Sequence, residues 1–68
     1  MDKWIAEAVG LMHVNHITQK QLGEKLGYSR EYTTRVLNGR DAPPNIESRV
    51  IAAIEEIISE RGAMEEVT

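Results

Sequence analysis

Two helical segments that are separated by only three residues constrain this 68-residue chain more than any other feature. The pattern of apolar residues and helix end signals predicts one helix over residues 18–26 and a second that has Ser29 as its N-cap and closes at Asn38. A join as short as Gly27-Tyr28-Ser29 forces the two helices to cross sharply. They must then touch near Gly23, where we expect a side chain larger than alanine to clash.

The ends of these two helices carry clear start and stop signals. Thr18 and Gln21 have the spacing of a capping box, in which each side chain accepts a hydrogen bond from the other residue's backbone N–H. Ser29 is a favourable N-cap for the second helix, and Gly27 suits a left-handed C-cap of the first. The Asn-Gly pair at 38–39 is a typical helix stop. Residues 18–39 are therefore predicted to fold as a two-helix unit.

A further helix is predicted on each side of this unit, and no strand is predicted. The first runs from about residue 3 to residue 14, with Asp2 as its N-cap. The last follows two prolines, runs from about residue 45 to residue 61 and ends at Gly62. We therefore expect an all-α fold.

The domain organisation that follows is a small four-helix domain over residues 1–62, followed by a short acidic tail over residues 63–68. A domain of this size buries only roughly 60% of its unfolded surface. The chain has no cysteine, so disulfides and cysteine-bound zinc do not stabilise it. Close helix packing or a partner subunit must do so instead.

Composition also argues against several classes of protein. No apolar run approaches the roughly 20 residues that a membrane span needs, and no signal peptide is evident, so we expect no membrane partner. His13 and His16 stand three residues apart, but two ligands without a third make a poor metal site. We expect no metal, no cofactor and, because no catalytic constellation is present, no enzymatic activity.

Charge is distributed unevenly along the chain, whose net charge is −3. Residues 1–40 carry a net +2 and residues 41–68 a net −5. The basic half can face phosphates while the acidic half points away. Because the basic excess is small, we expect modest and salt-sensitive nonspecific affinity for DNA.

The polar face of the helix over residues 29–38 carries side chains that can read bases. Arginine binds O6 and N7 of guanine with two hydrogen bonds, glutamate accepts from N4 of cytosine, and threonine can touch the thymine methyl group. Polar groups at helix N-termini and just after a helix are suited to phosphates. The predicted DNA contacts are Gln19, Ser29, Arg30, Glu31, Tyr32, Thr34, Arg35, Asn38 and Arg40.

Plainer interpretations of the same residues remain open. Arg30 and Arg35 are by default solvated side chains on an exposed helix face. Glu31 and Arg35 stand four residues apart and can pair with each other. Tyr28 and Tyr32 can serve as packing lids, and Tyr28 is better placed to cover the turn than to contact DNA.

The two-helix unit combines small, polar and apolar residues at fixed spacing: Thr18-Gln19, Leu22, Gly23, Leu26-Gly27, Ser29, Thr34-Arg35 and Leu37-Asn38-Gly39. This pattern resembles that of the Cro/repressor helix-turn-helix family of phage and bacterial regulators. The resemblance implies a repressor-like fold in which the second helix of the unit lies in the major groove and the first crosses the DNA backbone. It also implies a cytoplasmic protein, bacterial or phage-encoded, that acts on the chromosome.

Three features depart from the family pattern. Thr33 stands where the family usually has valine or isoleucine, and its hydroxyl needs a partner, which a carbonyl one turn earlier can supply. Met12 and Leu37 lie where members often pair arginine with glutamate, so an apolar contact is expected in place of the ion pair. The family often has five helices, and only four fit here.

The last helix has a wider apolar arc than one buried face requires, spanning about 160° where little more than 100° is usual. We expect one side of the arc to pack on the core and the other to meet a second copy of the chain. The alternative is that the whole arc packs internally. The residues predicted for the dimer interface are Val50, Ile51, Ile54 and Ile58.

The sequence thus favours a sequence-specific transcriptional regulator that binds double-stranded DNA as a homodimer on a pseudo-palindromic operator. A two-fold dimer would place two reading helices about 34 Å apart, one turn of DNA. The alternative is a protein-interaction module on the same fold, such as an anti-repressor or antitoxin-like partner, which the net negative charge favours.

Overall fold

Four α-helices follow one another along the chain. The computed structural model describes residues 2–67 and the side chains of residues 2–62. The helices are α1 (Lys3–Val14), α2 (Gln19–Leu26), α3 (Arg30–Leu37) and α4 (Ile46–Val67). Within residues 2–67 there is no strand, and the all-α, four-helix class expected from the sequence is confirmed.

Helices α1, α2 and α3 end in the same way. After each, one residue adopts a left-handed conformation and turns the chain: His16 (φ 55°), Gly27 (φ 76°) and Gly39 (φ 76°). The residue that follows each turn donates its backbone N–H to a carbonyl five positions earlier, at 2.8, 2.8 and 2.9 Å. This is the Schellman motif, which satisfies carbonyls that the helix end would leave without a partner.

The predicted N-caps differ in outcome. In the capping box of α2, Thr18 Oγ1 accepts from the Gln21 backbone N–H at 3.1 Å, and Gln21 Oε1 accepts from the Thr18 N–H at 2.9 Å. Ser29 Oγ accepts from the Tyr32 N–H at 3.1 Å at the start of α3. Both of these caps confirm the prediction. Asp2 holds the N-cap position of α1, but its side chain makes no capping hydrogen bond.

Helix α4 packs against α1 and α2, and α2 packs against α3. Met12 and Leu37 are both buried in the core that these contacts enclose, which agrees with the apolar contact expected between their positions. No helix in the described part of the chain is both long and apolar enough to cross a membrane. The buried apolar residues are Ile5, Ala8, Met12, Ile17, Leu22, Val36, Leu37, Ile46, Val50, Ala53, Ile54 and Ile57.

Helix α4 is longer than the sequence predicted. It does not end at Gly62 but continues to Val67, so the segment predicted to be a tail is largely helical. A glycine inside a helix costs only about 1 kcal/mol relative to alanine, which weakens a long helix without stopping it. The side chains of residues 63–67 and the whole of Thr68 lie outside the described residues.

Two of the four residues predicted for a dimer interface lie instead in the chain's own core. Val50 and Ile54 are both 0% exposed within the single chain, so neither can meet a second copy. Ile51 and Ile58 are only partly buried and pack on the edge of the core. The extra width of the apolar arc arises because α4 faces two helices, α1 and α2, at once.

Candidate nucleic-acid interface

Helices α2 and α3 make their closest approach where Gly23 faces Thr33. A Cβ atom on Gly23 would lie 2.7 Å from Thr33 Oγ1 and 3.2 Å from the carbonyl oxygen of Tyr28. Both distances are shorter than ordinary van der Waals contacts. The tight crossing predicted at Gly23 is therefore present, and its limit is stricter than predicted, because even the methyl group of alanine does not fit.

Thr33 is a buried polar residue, with 1% of its surface exposed. Its hydroxyl donates a hydrogen bond to the Ser29 carbonyl, one turn earlier, at 2.8 Å. This is the partner predicted from the sequence, and it removes the cost of burying an unsatisfied hydroxyl. The departure from the usual apolar residue is thus compatible with a packed crossing.

The crossing turns the polar face of α3 away from the core. All nine predicted contact residues reach solvent at least in part. Tyr32 and Thr34 are half-buried, and the others are exposed: Gln19, Ser29, Arg30, Glu31, Arg35, Asn38 and Arg40. A continuous polar surface therefore runs along α3 and past both of its ends.

A side-chain hydrogen bond joins the start of α2 to this surface. The Thr34 hydroxyl lies 2.8 Å from Gln19 Oε1 and 3.0 Å from the Arg30 carbonyl oxygen, and can donate to either. When Gln19 accepts through its oxygen, its side-chain amide group is still able to donate two hydrogen bonds. Gln19 is thereby held against α3 with donor capacity for an anionic ligand.

A shallow groove lies beside this hydrogen bond and is lined by Thr18, Gln19, Lys20 and Arg30. Two exposed cations, Lys20 and Arg30, meet there at the N-terminal ends of α2 and α3. Helix N-termini carry partial positive charge, so the groove suits a phosphate group. Sequence reasoning did not select Lys20, although its position next to Gln19 in the first turn of α2 was a usable signal.

Arg35 is held from two sides. Its Nε donates a hydrogen bond to Asp41 Oδ2 at 2.6 Å, and its guanidinium carbon lies 5.6 Å from the centre of the Tyr32 ring. In the described part of the chain Arg35 pairs with Asp41 and not with Glu31, the alternative that the spacing had left open. The Schellman turn at Gly39 brings Asp41 back toward α3.

A row of arginine and tyrosine side chains links α3 to α4, in the order Arg35, Tyr32, Tyr28 and Arg49. The two tyrosine rings meet edge to face, with centres 4.8 Å apart and planes at 88°. Arg49 lies 5.3 Å from the centre of the Tyr28 ring and donates to the Tyr28 hydroxyl at 2.9 Å. Tyr28 therefore acts as a packing residue over the turn.

The acidic part of α4 lies on a different side of α2. Lys25 pairs with Glu60 and, at 3.5 Å, with Glu56. The hydrogen bond to Glu60 is the main reason that the pKa of Lys25 is raised above 10.5. Arg61 donates to the carbonyls at residues 15–16 and so satisfies the end of α1. These two cations hold helices together, whereas the cations on or beside α3 are Lys20, Arg30, Arg35 and Arg40.

Among the described residues, no group of three or more histidine, cysteine, aspartate or glutamate side chains is placed to hold a metal ion. No family model, curated protein or solved structure matches this chain.

Proposed function

We propose that this chain is a sequence-specific DNA-binding regulator of the helix-turn-helix type, with α3 as the helix that enters the major groove. The observation that carries the proposal is the crossing at Gly23, which leaves the polar face of α3 free of the protein core. On that face Arg30 and Arg35 supply guanine-reading groups and Glu31 an acceptor for cytosine. The resemblance of residues 18–39 to Cro/repressor proteins supports the same conclusion.

The dimensions and charges at the two ends of α3 fit a duplex. An α-helix with its side chains is about 10–12 Å across, close to the major-groove width of about 12 Å. The groove with Lys20 and Gln19 lies at one end of α3 and Arg40 lies at the other. We assign these three residues to phosphates, which position the protein without reading sequence.

We further propose that the chain binds DNA as a homodimer through a surface on α1 and α4. Val14 is 74% exposed and lines a shallow groove together with Ile58. Leu11 and Ile51 extend the exposed or half-buried apolar residues on the same two helices. This apolar surface (Leu11, Val14, Ile51 and Ile58) takes the place of the dimer interface predicted from the sequence, which included Val50 and Ile54.

The test begins with selection of bound sites from random DNA by the full chain, which returns the motif, its symmetry and its half-site spacing. Binding of the selected duplex is then compared between wild type and the double variant Arg30→Ala/Arg35→Ala. Lys25→Ala is the control for loss of positive charge, since it removes one cation from the side of α2 that faces α4.

We expect the double variant to lose sequence-specific binding and Lys25→Ala to keep most of it. If the double variant binds as well as wild type, α3 is not the reading helix. If wild type binds no DNA even at low salt, the DNA-binding proposal is wrong.

A second candidate function is a protein-interaction module on the same fold. It is favoured by the exposed apolar side chains of α1, where Val9, Leu11 and Val14 are 42%, 40% and 74% exposed. The net charge of −3 points the same way. An absence of DNA binding at low salt would select this candidate.

A further inference from the structure

The contact between Arg35 and Asp41 carries an inference that rests on the proposed DNA-binding function. We infer that Asp41 is a positioning residue that sets sequence specificity. It orients the Arg35 guanidinium toward a base. At the same time, its negative charge weakens the attraction between Arg35 and the DNA phosphates. Asp41 is not among the residues that the sequence assigned to DNA contact.

The geometry leaves the base-reading part of Arg35 intact. Asp41 Oδ2 accepts from Nε alone, at 2.6 Å. A guanidinium has five N–H donors in one rigid plane, so the two terminal nitrogens keep their donors. Two parallel donors of this kind form the paired hydrogen bonds that arginine makes to O6 and N7 of guanine.

A second support acts on the face of the guanidinium. Arg35 lies over the ring of Tyr32, Tyr32 packs against Tyr28, and Tyr28 is bound by Arg49 of α4. Arg35 is thus held at its edge by a carboxylate and at its face by a ring that the core supports. A side chain ordered before binding loses less conformational entropy when it binds.

The pair lies at the surface, where solvent limits what an ion pair contributes to the stability of the fold. The side chain of Arg35 is 56% exposed and that of Asp41 33%, so water screens the charge of Arg35 and reduces the energy of the pair. A carboxylate on a DNA-facing surface also repels phosphates. Asp41 therefore weakens binding to any DNA while it favours the site that Arg35 reads, and specificity is a difference between these two affinities.

The experiment measures, by fluorescence anisotropy, the affinity of the full chain for its selected duplex and for a duplex of scrambled sequence over a range of salt concentrations. The variants are Asp41→Ala, Asp41→Asn, Arg35→Ala and the double variant Asp41→Ala/Arg35→Ala. Circular dichroism and thermal unfolding check that each variant is folded as wild type is.

We expect Asp41→Ala to bind scrambled DNA about three- to tenfold more tightly, with a salt slope steeper by about one phosphate contact. The ratio of selected to scrambled affinity should fall about tenfold, because an unoriented Arg35 discriminates less between bases. Asp41→Asn keeps an acceptor oxygen but loses the charge. Its ratio of selected to scrambled affinity should therefore lie between those of Asp41→Ala and wild type, while it binds the scrambled duplex as tightly as Asp41→Ala does. With Arg35 already replaced by alanine, Asp41→Ala should leave the ratio unchanged.

Equal strengthening of both duplexes by Asp41→Ala would show that Asp41 acts only as a charge and would overturn the positioning role. A larger gain on the selected duplex would mean that Asp41 holds Arg35 away from the bases, which also overturns it. In both cases the wild-type chain still binds DNA and the proposed function stands. A wild-type chain that binds no DNA overturns the proposed function and this inference together.

Discussion

Thr33 Oγ1 lies 2.7 Å from the point that a Cβ atom on Gly23 would occupy, so these two residues set how closely α2 approaches α3. The carbonyl oxygen of Tyr28, in the turn between the two helices, lies 3.2 Å from the same point. The Tyr28 backbone is held in place by its own N–H, which donates to the Gly23 carbonyl at 2.8 Å, so Thr33 is the neighbour that would have to yield. The orientation of the polar face of α3 depends on this contact.

Replacement of Gly23 by alanine should therefore destabilise the chain by about 1–3 kcal/mol, the usual cost of overpacking a core. Urea unfolding followed by circular dichroism measures this change. Gly10→Ala is the matched control, because Gly10 lies in α1 with nothing within 4 Å of its added Cβ, and it should stabilise by up to about 1 kcal/mol. In a Thr33→Ala background, Gly23→Ala should cost less than in wild type. A cost that is unchanged there would place the clash elsewhere.

His16 is the one of the three left-handed helix ends that lacks a glycine, with φ at 55°. Its backbone carbonyl accepts from Arg61, and a glycine would keep that bond. Left-handed backbone strains a residue that has a Cβ atom, so His16→Gly should stabilise the chain by about 0.5–1 kcal/mol in urea unfolding. Gly27→Ala, where φ is 76° and the space is open, should lose about 1 kcal/mol for the converse reason. Loss of stability in His16→Gly would mean that the imidazole ring makes a stabilising contact.

The features that sequence predicted best are local ones. The capping box of Thr18 and Gln21, the Ser29 cap and the left-handed Gly27 are confirmed because each depends on residues at most five positions apart. The small residue required at Gly23 was predicted from the short join alone. Close spacing along the chain fixes such contacts before the tertiary fold does.

The features that sequence did not predict depend on distant packing. Arg35 has an acid four residues before it and another six residues after it, and only the turn at Gly39 determines that Asp41 is the partner. Val50 and Ile54 belong to the same apolar arc as Ile58, and only the positions of α1 and α2 decide which of them are buried. A pattern on one helix gives the width of its apolar face, not the identity of what covers it.

Lys25 links α2 to α4 through its ion pairs, and its raised pKa defines the pH range in which these ion pairs stabilise the fold. Because the folded-state pKa lies above the ordinary value of 10.5, the stabilisation is fully present below pH 10.5 and is lost as pH rises through the folded-state value. Lys25→Met should lower the urea midpoint slightly at neutral pH and leave it equal to that of wild type at strongly alkaline pH. A difference that persists there would show that the charge of Lys25 is not the source of the stability.

The proposed dimer surface can be tested at a residue that the fold does not need. Val14 is 74% exposed, so Val14→Asp should leave the unfolding midpoint nearly unchanged while it weakens self-association at least about tenfold, since burying an unpaired carboxylate is costly. Val9→Asp is the control, because Val9 is exposed on α1 but lines a different groove, with Leu37 and Ile17. Sedimentation velocity over a concentration series measures both. A wild-type chain that stays monomeric at high concentration removes the dimer from the proposal.

Lys20 and Arg30 line the same groove, yet the proposed interface gives them different roles. Lys20 lies in the first turn of α2 beside Gln19, where a cation can meet a phosphate but no base edge, so Lys20→Ala should weaken selected and scrambled duplexes alike and reduce the salt slope by about one. Arg30 begins α3, so Arg30→Ala should cost about 1–3 kcal/mol on the selected duplex and relax the preference at one base pair. Fluorescence anisotropy on both duplexes across a salt series separates the two effects. If Arg30→Ala instead weakens both duplexes equally, the first turn of α3 lies against the backbone, and base reading must begin further along the helix, near Arg35.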